Sequence, residues 1–261
     1  MRCHLVSSRW GVDVGDQKPH PLTVGMIVPS GGPEADYYGF EEAAAGRLRF
    51  YLTISRVGGD PGNDHDPESL KQTARTDWLV EAAARLGGFR LDAIEWACTS
   101  GSFVLGRRFA EEQTAVLHEA SGIVAGSTSL AFASACAAIG AKRVAVLATY
   151  PRVVTGLFLD FLAEFGLVAT EVRSLDLPSG WEAARLSEEY IDEQVAALPI
   201  VGADAVLIPD TALPTFRFIE RLERRTGLPV LTANAVTVWD ALRLAGASWT
   251  VPGYGLLLSG S

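Results

Sequence analysis

Leu91-Asp-Ala-Ile-Glu-Trp-Ala-Cys-Thr99 and Ala203-Asp-Ala-Val-Leu-Ile-Pro-Asp-Thr211 are one pattern written twice, at an offset of 203 − 91 = 112. Each opens near an Asp-Ala step, runs through a short apolar stretch of strand character and closes on Thr. Upstream, Val24-Gly-Met-Ile-Val-Pro-Ser30 matches Val144-Ala-Val-Leu-Ala-Thr-Tyr150 in apolar pattern, with an offset of 144 − 24 = 120. Downstream, helical segments end at Ser121-Gly122 and Thr226-Gly227, with 227 − 122 = 105. A short apolar run follows each, Ile123-Val-Ala and Leu228-Pro-Val, then Ser127-Thr-Ser and Thr232-Ala-Asn, and then another helical pattern. Three matches in the same order imply two similar halves, and the falling offset marks shorter connections in the second.

Short β-rich runs alternate with helical patterns throughout, which is the signature of parallel sheets covered by helices. The predicted strands are Leu22–Val28, Leu48–Val57, Ala93–Ala97, Ile123–Ala125, Arg143–Ala148, Val168–Ser174, Ala205–Ile208 and Val230–Thr232. The fold class is therefore α/β, with two pseudo-symmetric four-stranded parallel-sheet domains of Rossmann-like type and the site between them. Residues 1–20 read as an N-terminal tail, 21–126 plus 233–261 as the first α/β domain, and 127–232 as the second.

Composition narrows the function classes. Hydrophobic residues make up 48% and charged residues 20%, the balance of a folded globular protein. Lys plus Arg number 22 against 31 Asp plus Glu, a net charge of −9 with no basic run to neutralise a phosphate backbone, so no nucleic-acid partner is expected. Cys3, Cys98 and Cys136 are too few for a disulfide framework and point to a reducing, cytoplasmic setting. The first twenty residues lack the apolar core of a signal peptide. Ile123–Ala141 is long enough for a bilayer, but its Ser, Thr and Gly content reads better as a buried strand and a small-residue helix, so no membrane partner is expected. The sequence is silent on oligomeric state and leaves room for a homo-oligomer.

Ligands in open parallel sheets collect beyond the carboxyl ends of the strands. Those ends carry Pro29-Ser30 and Thr149-Tyr150 from the first strand of each half, and Cys98-Thr99-Ser100 and Asp210-Thr211 from the third. If the halves face each other, Cys98 and Asp210 stand on opposite sides of one cleft as a two-sided acid/base pair. That suits proton removal or delivery at a carbon beside a carboxylate, where the developing enediolate needs clustered hydroxyl and N–H donors. Thr99, Ser100, Tyr150 and Thr211 are such groups, and a helix N-terminus at Cys98 is expected to favour its thiolate. Each has a structural reading too: Asp210, Ser100 and Thr211 as helix caps, Tyr150 as a packed ring. Asn234 and Ser129 are further candidates from the repeated polar triplets. Cys136, among alanines, reads as core.

Neither a G-x-G-x-x-G nor a Walker pattern occurs, and Gly246-Ala-Ser-Trp-Thr250 lacks the second glycine of a nucleophile elbow, so no nucleotide cofactor is expected. His4, His20, His65 and His118 have no paired ligand spacing, and no metal is expected. The acidic stretch Gly58–Pro67 reads either as a solvated loop or as a mobile lid.

With Gly25-Met-Ile-Val-Pro29, Cys98-Thr-Ser100, Val144–Tyr150, Trp239-Asp-Ala-Leu-Arg-Leu-Ala-Gly246 and Pro252-Gly-Tyr-Gly255 assembled, the chain resembles the aspartate/glutamate racemase superfamily. Within it, the similarity is to the branch of arylmalonate decarboxylase and maleate cis-trans isomerase, from about Leu22 to Leu258. The resemblance implies cofactor-free chemistry between two pseudo-symmetric domains. It implies a carboxylate-binding set of Thr99, Ser100, Tyr150 and the backbone of Thr211, with Pro29 and Ser30 close by. Racemases and maleate isomerases of this kind use two cysteines, whereas the decarboxylase has glycine in the first position and cysteine in the second. This chain has Cys98 in the first position and Asp210 in the second. The expected function is an isomerase or racemase acting beside a carboxylate of a small organic acid, through an enediolate or a Cys adduct. Decarboxylation of a substituted malonate is the alternative, and non-catalytic binding of an organic acid a third reading.

Overall fold

The computed structural model describes residues 20–60 and 62–260. The tail expected over residues 1–20, with Cys3, therefore falls almost wholly outside the described residues. The strands are β1 (Leu22–Val28), β2 (Leu48–Ile54), β3 (Ala93–Trp96), β4 (Ala125–Ser127), β5 (Arg143–Ala148), β6 (Val168–Ser174), β7 (Ala205–Ile208) and β8 (Val230–Thr232). They form two parallel sheets of the same order, β2-β1-β3-β4 and β6-β5-β7-β8.

The repeat holds at the level of register. Val24 pairs with Ala93 in the first sheet and Val144 with Ala205 in the second, positions related by the offsets 120 and 112 read from the sequence. Ile94 pairs with Ala125, and Val206 with Val230, related by 112 and 105. The central strands β3 and β7 are buried along their whole length, as sheets covered on both faces require. The long helices Gly106–Ser121 and Ile219–Thr226 both stop on a glycine in the left-handed region, Gly122 at φ 73° and Gly227 at φ 68°, where a side chain would be strained.

Two strand boundaries differ from the sequence reading. β2 stops at Ile54, short of Val57: Ser55 N–H still donates to Val28 O at 2.7 Å, but β1 has ended there and Pro29 offers no N–H to continue the ladder. β4 runs Ala125–Ser127 rather than Ile123–Ala125, because pairing with β3 begins at Ala125 and carries the polar Ser127 into the sheet. No helix among the described residues is long and apolar enough to cross a membrane.

The helix after each sheet's last strand joins the two halves. Thr128–Ala138 packs its Phe132, Ala135 and Cys136 into the cluster of Val144, Val146 and Phe158 around the second sheet, and Cys136 is core as expected. Ala233–Leu244 lies against β3 and β4 of the first. The two helices touch each other, with Thr128 Oγ1 and Thr237 Oγ1 2.7 Å apart. Asp36, buried on the helix Glu34–Ala43, accepts hydrogen bonds from the N–H of Thr215 (2.9 Å) and from Asn234 Nδ2 (2.9 Å), fastening the first half to the second.

Beneath this joint lie two carboxyls. Glu95 of β3 is fully buried without a donor on either oxygen, and faces Asp240, which accepts from Arg243 at 2.7 Å. Gly126 makes room for both, since a Cβ there would lie 2.3 Å from Glu95 Oε1 and 2.8 Å from Asp240 Oδ2. Burial, then the Asp240 charge, pushes the Glu95 carboxyl well above the usual range. A value raised in the folded state means stability is greatest below the ordinary carboxyl range and is lost as pH rises through the folded-state value. Glu95→Gln keeps the shape and removes the titration. It is expected to stabilise the fold by about 1 to 3 kcal/mol in alkaline buffer and little in acid. Thermal unfolding across pH checks this, and parallel profiles for both proteins would show that the carboxyl pair does not set the alkaline limb.

Candidate active site

The site is built where β1, β3, β5 and β7 end. Backbone pairing continues to Ala97, whose N–H donates to Ile27 O at 2.8 Å, so Cys98 emerges in extended conformation as the cap of the short helix Thr99–Phe103. Its Sγ accepts from Gly101 N–H at 3.3 Å and lies 3.9 Å from Ser100 Oγ. A Cβ at 101 would come 3.0 Å from that sulfur and 2.9 Å from the Trp96 ring, so only glycine lets the turn close over the thiol.

Asp210 emerges from β7 at φ 119°, a conformation rarely adopted by residues other than glycine. Such strain persists only where neighbours over-determine it. Here Thr149 Oγ1 donates to Oδ2 at 2.6 Å and Ala212 N–H to Oδ1 at 2.9 Å, while His65 Nε2 stands 3.7 Å from Oδ2. The helix that the capping reading of Asp210 and Thr211 requires is not there: turns follow β7, and the next helical residues are Phe216–Phe218, capped at Thr215, so the Ala212 N–H bond closes a turn and caps no helix.

Cys98, Ser100, Asp210, Thr211, Pro29 and Ser30 all line one cavity of about 40 Å³, together with Asp64, His65 and Gly180. A cavity of about 790 Å³, lined by Val57, Glu34, Trp181 and Ala184 and sharing Ser30, Val57 and Asp64, adjoins it. Thr99 and Tyr150 are buried against the same site, each 1% exposed. The Tyr150 hydroxyl faces those of Thr99 and Ser100, and its ring meets Phe103 edge-on, so the packed-ring and polar readings of this residue coexist.

Ser129 and Asn234 do not reach the cavity. Ser129 Oγ donates to Thr99 O at 2.8 Å and Ser102 Oγ lies 2.6 Å from it, so Ser129 holds the Cys98 turn from behind. Asn234 occupies the corresponding place on its own helix, the second residue, and bonds Asp36 and the Tyr37 hydroxyl. Polar triplets after β4 and β8 mark helix starts that lie one layer below the strand ends facing the cleft.

Electrostatics reverse one expectation. Burial pushes the Cys98 thiol up to about 12, against the opposing pull of Gly101 N–H and the Ser100 hydroxyl, and the charges of Asp210 and Asp64 push it further. Cys98 is therefore a protonated thiol at neutral pH, because desolvation outweighs the helix N-terminus. Burial likewise raises Asp210, while His65, Thr149 and Ala212 draw it back and Asp64 opposes them. Tyr150 is held far above the ordinary phenol range by burial and remains a donor.

The segment Gly58–Pro67 is not a solvated loop at His65. Asp64 Oδ2 accepts from Gly180 N–H at 3.0 Å, His65 N–H donates to Pro178 O at 3.0 Å, and His65 Nδ1 lies 3.0 Å from Leu177 O. The segment thus bridges from the first half to the second and lines the cavity with a histidine. His65 and Asp64 were not among the sequence candidates, and Thr149 was read only as part of the strand end Thr149-Tyr150, with no role of its own. His65 has no spacing signal, since its partners lie 112 and 145 residues downstream in sequence, at Leu177 and Asp210 (177 − 65; 210 − 65).

The arylmalonate decarboxylase family model matches residues 67–258. The chain is 33% identical over 248 residues to an arylmalonate decarboxylase of Bordetella bronchiseptica, covering 94% of this chain and 100% of the relative. It is 28% identical over 184 residues to a maleate isomerase of Geobacillus stearothermophilus, covering 68% and 73%. A solved structure of a doubly substituted arylmalonate decarboxylase in its liganded form superposes with a TM-score of 0.80 at 30% identity, covering 92% of this chain and 100% of that one. The chain is thus an enzyme of the arylmalonate decarboxylase family, in the branch of the aspartate/glutamate racemase superfamily that also holds the maleate isomerases.

Proposed function

We propose that the enzyme moves a proton at the carbon beside a carboxylate of a small organic acid, isomerising or racemising it through an enediolate or a Cys98 adduct. The observation that carries this reading is a protonated thiol, Cys98, and a carboxyl, Asp210, lining one cavity from different halves of the molecule. An acid on one face and a base on the other are what proton exchange at a single carbon requires. In this reading Asp210 takes the proton from carbon, the bonding pair stays on the substrate as the enediolate, and the Cys98 thiol returns a proton from the other face. For a cis-trans change, Asp210 takes the Cys98 proton, the thiolate adds to one carbon of the double bond while its π pair becomes the enediolate, the resulting single bond turns, and elimination re-forms the double bond and expels the thiolate, to which Asp210 returns the proton.

The substrate carboxylate is received by the hydroxyls of Thr99, Ser100 and Tyr150 and the Thr211 N–H, with Pro29 and Ser30 as wall. Donors aimed at developing charge in a site of this kind are each worth roughly 3 to 4 kcal/mol. The chemistry runs through side chains alone and calls for no cofactor, and a reducing cytoplasm keeps its thiol free.

Decarboxylation of a substituted malonate is the second reading, favoured by the full-length similarity to a decarboxylase and by the adjoining cavity of about 790 Å³, which has room for a large substituent. There the Cys98 thiol protonates the enediolate left when carbon dioxide departs.

Proton NMR in heavy water with maleate, aspartate, glutamate, hydantoins and phenylmalonate separates the readings. Deuterium appearing beside a carboxylate without loss of carbon, or a cis acid becoming trans, is expected. Loss of carbon dioxide with one deuterium gained transfers the enzyme to the second reading, and binding without turnover makes it an organic-acid-binding protein. Cys98→Ser is expected to abolish turnover. Ser100→Ala and Tyr150→Phe should each lower kcat by about 10² to 10³-fold, measured by initial rates; unchanged kcat in both would remove these hydroxyls from the carboxylate-binding set.

A further inference from the structure

His65 lies on a segment contributed by the first half, yet its side chain, 4% exposed, meets Leu177, Asp210 and Tyr150 of the second. Its Nδ1 is 3.0 Å from the Leu177 carbonyl, which can only accept, so Nδ1 carries a hydrogen and Nε2 is free to gain or lose one. Nε2 faces Asp210 Oδ2 at 3.7 Å, just beyond hydrogen-bonding distance. Catalytic contacts are often loose in an empty site and tighten around substrate. The ring also meets Tyr150 edge-on, with centroids 4.8 Å apart. Asp64, beside it in the chain, is occupied by Gly180 N–H.

No Lys or Arg is among the described residues lining the cavity, which holds Asp64, Asp210, Cys98 and His65. An ionised Asp210 by itself would repel an anionic substrate, and a protonated one by itself would be no base. His65 is the one group at the cavity able to offset that charge.

We propose that His65 and Asp210 form a dyad that passes one proton between imidazole Nε2 and carboxylate, and that this dyad, rather than a lone aspartate, is the acid/base opposite Cys98. The inference rests on the proton-transfer reading of the site. A proton leaves the substrate carbon for Asp210, its bonding pair remains as the enediolate, and the neutral imidazole takes that proton at Nε2. The dyad loses its negative charge as the substrate gains a second one, and the return step gives the same proton back to carbon. Cys98, Tyr150 and Asp64 are the other titratable groups facing the imidazole; Cys98 and Tyr150 stay neutral, which leaves Asp210 and Asp64 as the carboxyls beside it.

The test pairs spectroscopy with turnover. Nitrogen-15 NMR of the imidazole is recorded across pH in the full chain and in Asp210→Asn. His65 is expected to hold the Nδ1–H form when neutral, and its titration is expected to move to lower pH when the carboxylate is removed. His65→Asn, whose amide can keep the Leu177 bond, is expected to lose about 10² to 10³-fold in kcat with little change in KM. A His65 titration identical in both proteins, or full turnover in His65→Asn, overturns the dyad. If the wild-type enzyme exchanges no deuterium into any acid of the panel, the proton-transfer reading fails on its own, while the imidazole titration still decides whether His65 and Asp210 are coupled.

Discussion

The close approach of two helices, Thr128–Ala138 and Ala233–Leu244, governs where everything else in this molecule stands. At their contact the Thr128 and Thr237 hydroxyls lie 2.7 Å apart, a direct bond between the two helices. Each helix starts where its own half's last strand ends and then packs against the other half, so the two sheets are held by exchanged elements rather than by a linker. Asp36, Thr215 and Asn234 add a buried polar joint beside it. The ends of β3 and β7 thereby meet at one cavity, and a residue from each, Cys98 and Asp210, lines it.

The environment that results is buried, and no Lys or Arg is among the described residues lining it. Burial raises Cys98, Tyr150 and Asp210 together, which keeps the thiol and the phenol protonated and makes the Asp210 carboxyl a stronger base. A site of this kind holds exchangeable protons against neutral hydroxyl and amide donors, an arrangement suited to acids whose α-carbon must lose and regain a proton. The carboxyl pair Glu95 and Asp240 shows the same preference further down β3, three residues before the thiol, so low polarity extends beneath the cleft.

Backbone strain at Asp210 and the glycine at 101 belong to the same account. Both occur where a strand must hand over abruptly to a helix or turn while presenting a side chain to the cavity. The hydrogen bonds from Thr149 and Ala212 that hold Asp210 in its unusual conformation also orient its carboxyl. Conformation and chemistry are set by the same contacts.

From the sequence by itself came the fold and half of the site. Hydrophobic periodicity and the repeated Asp-Ala…Thr pattern determine which segments pair and in what register, because a strand's side-chain period and its neighbours' ends leave little freedom. The offsets 120, 112 and 105 reappear as aligned pairs in the two sheets. Residues at strand ends, such as Cys98, Ser100, Asp210 and Thr211, were legible because topology alone places strand ends at the cleft. The strand ends of β2 and β4, the burial of Ser129 and Asn234 below the cavity, the protonated state of Cys98 and the arrival of His65 were not legible. Each depends on what surrounds a group in three dimensions: where a neighbouring strand stops, how deeply a thiol is desolvated, and which loop from one half is clamped by carbonyls of the other.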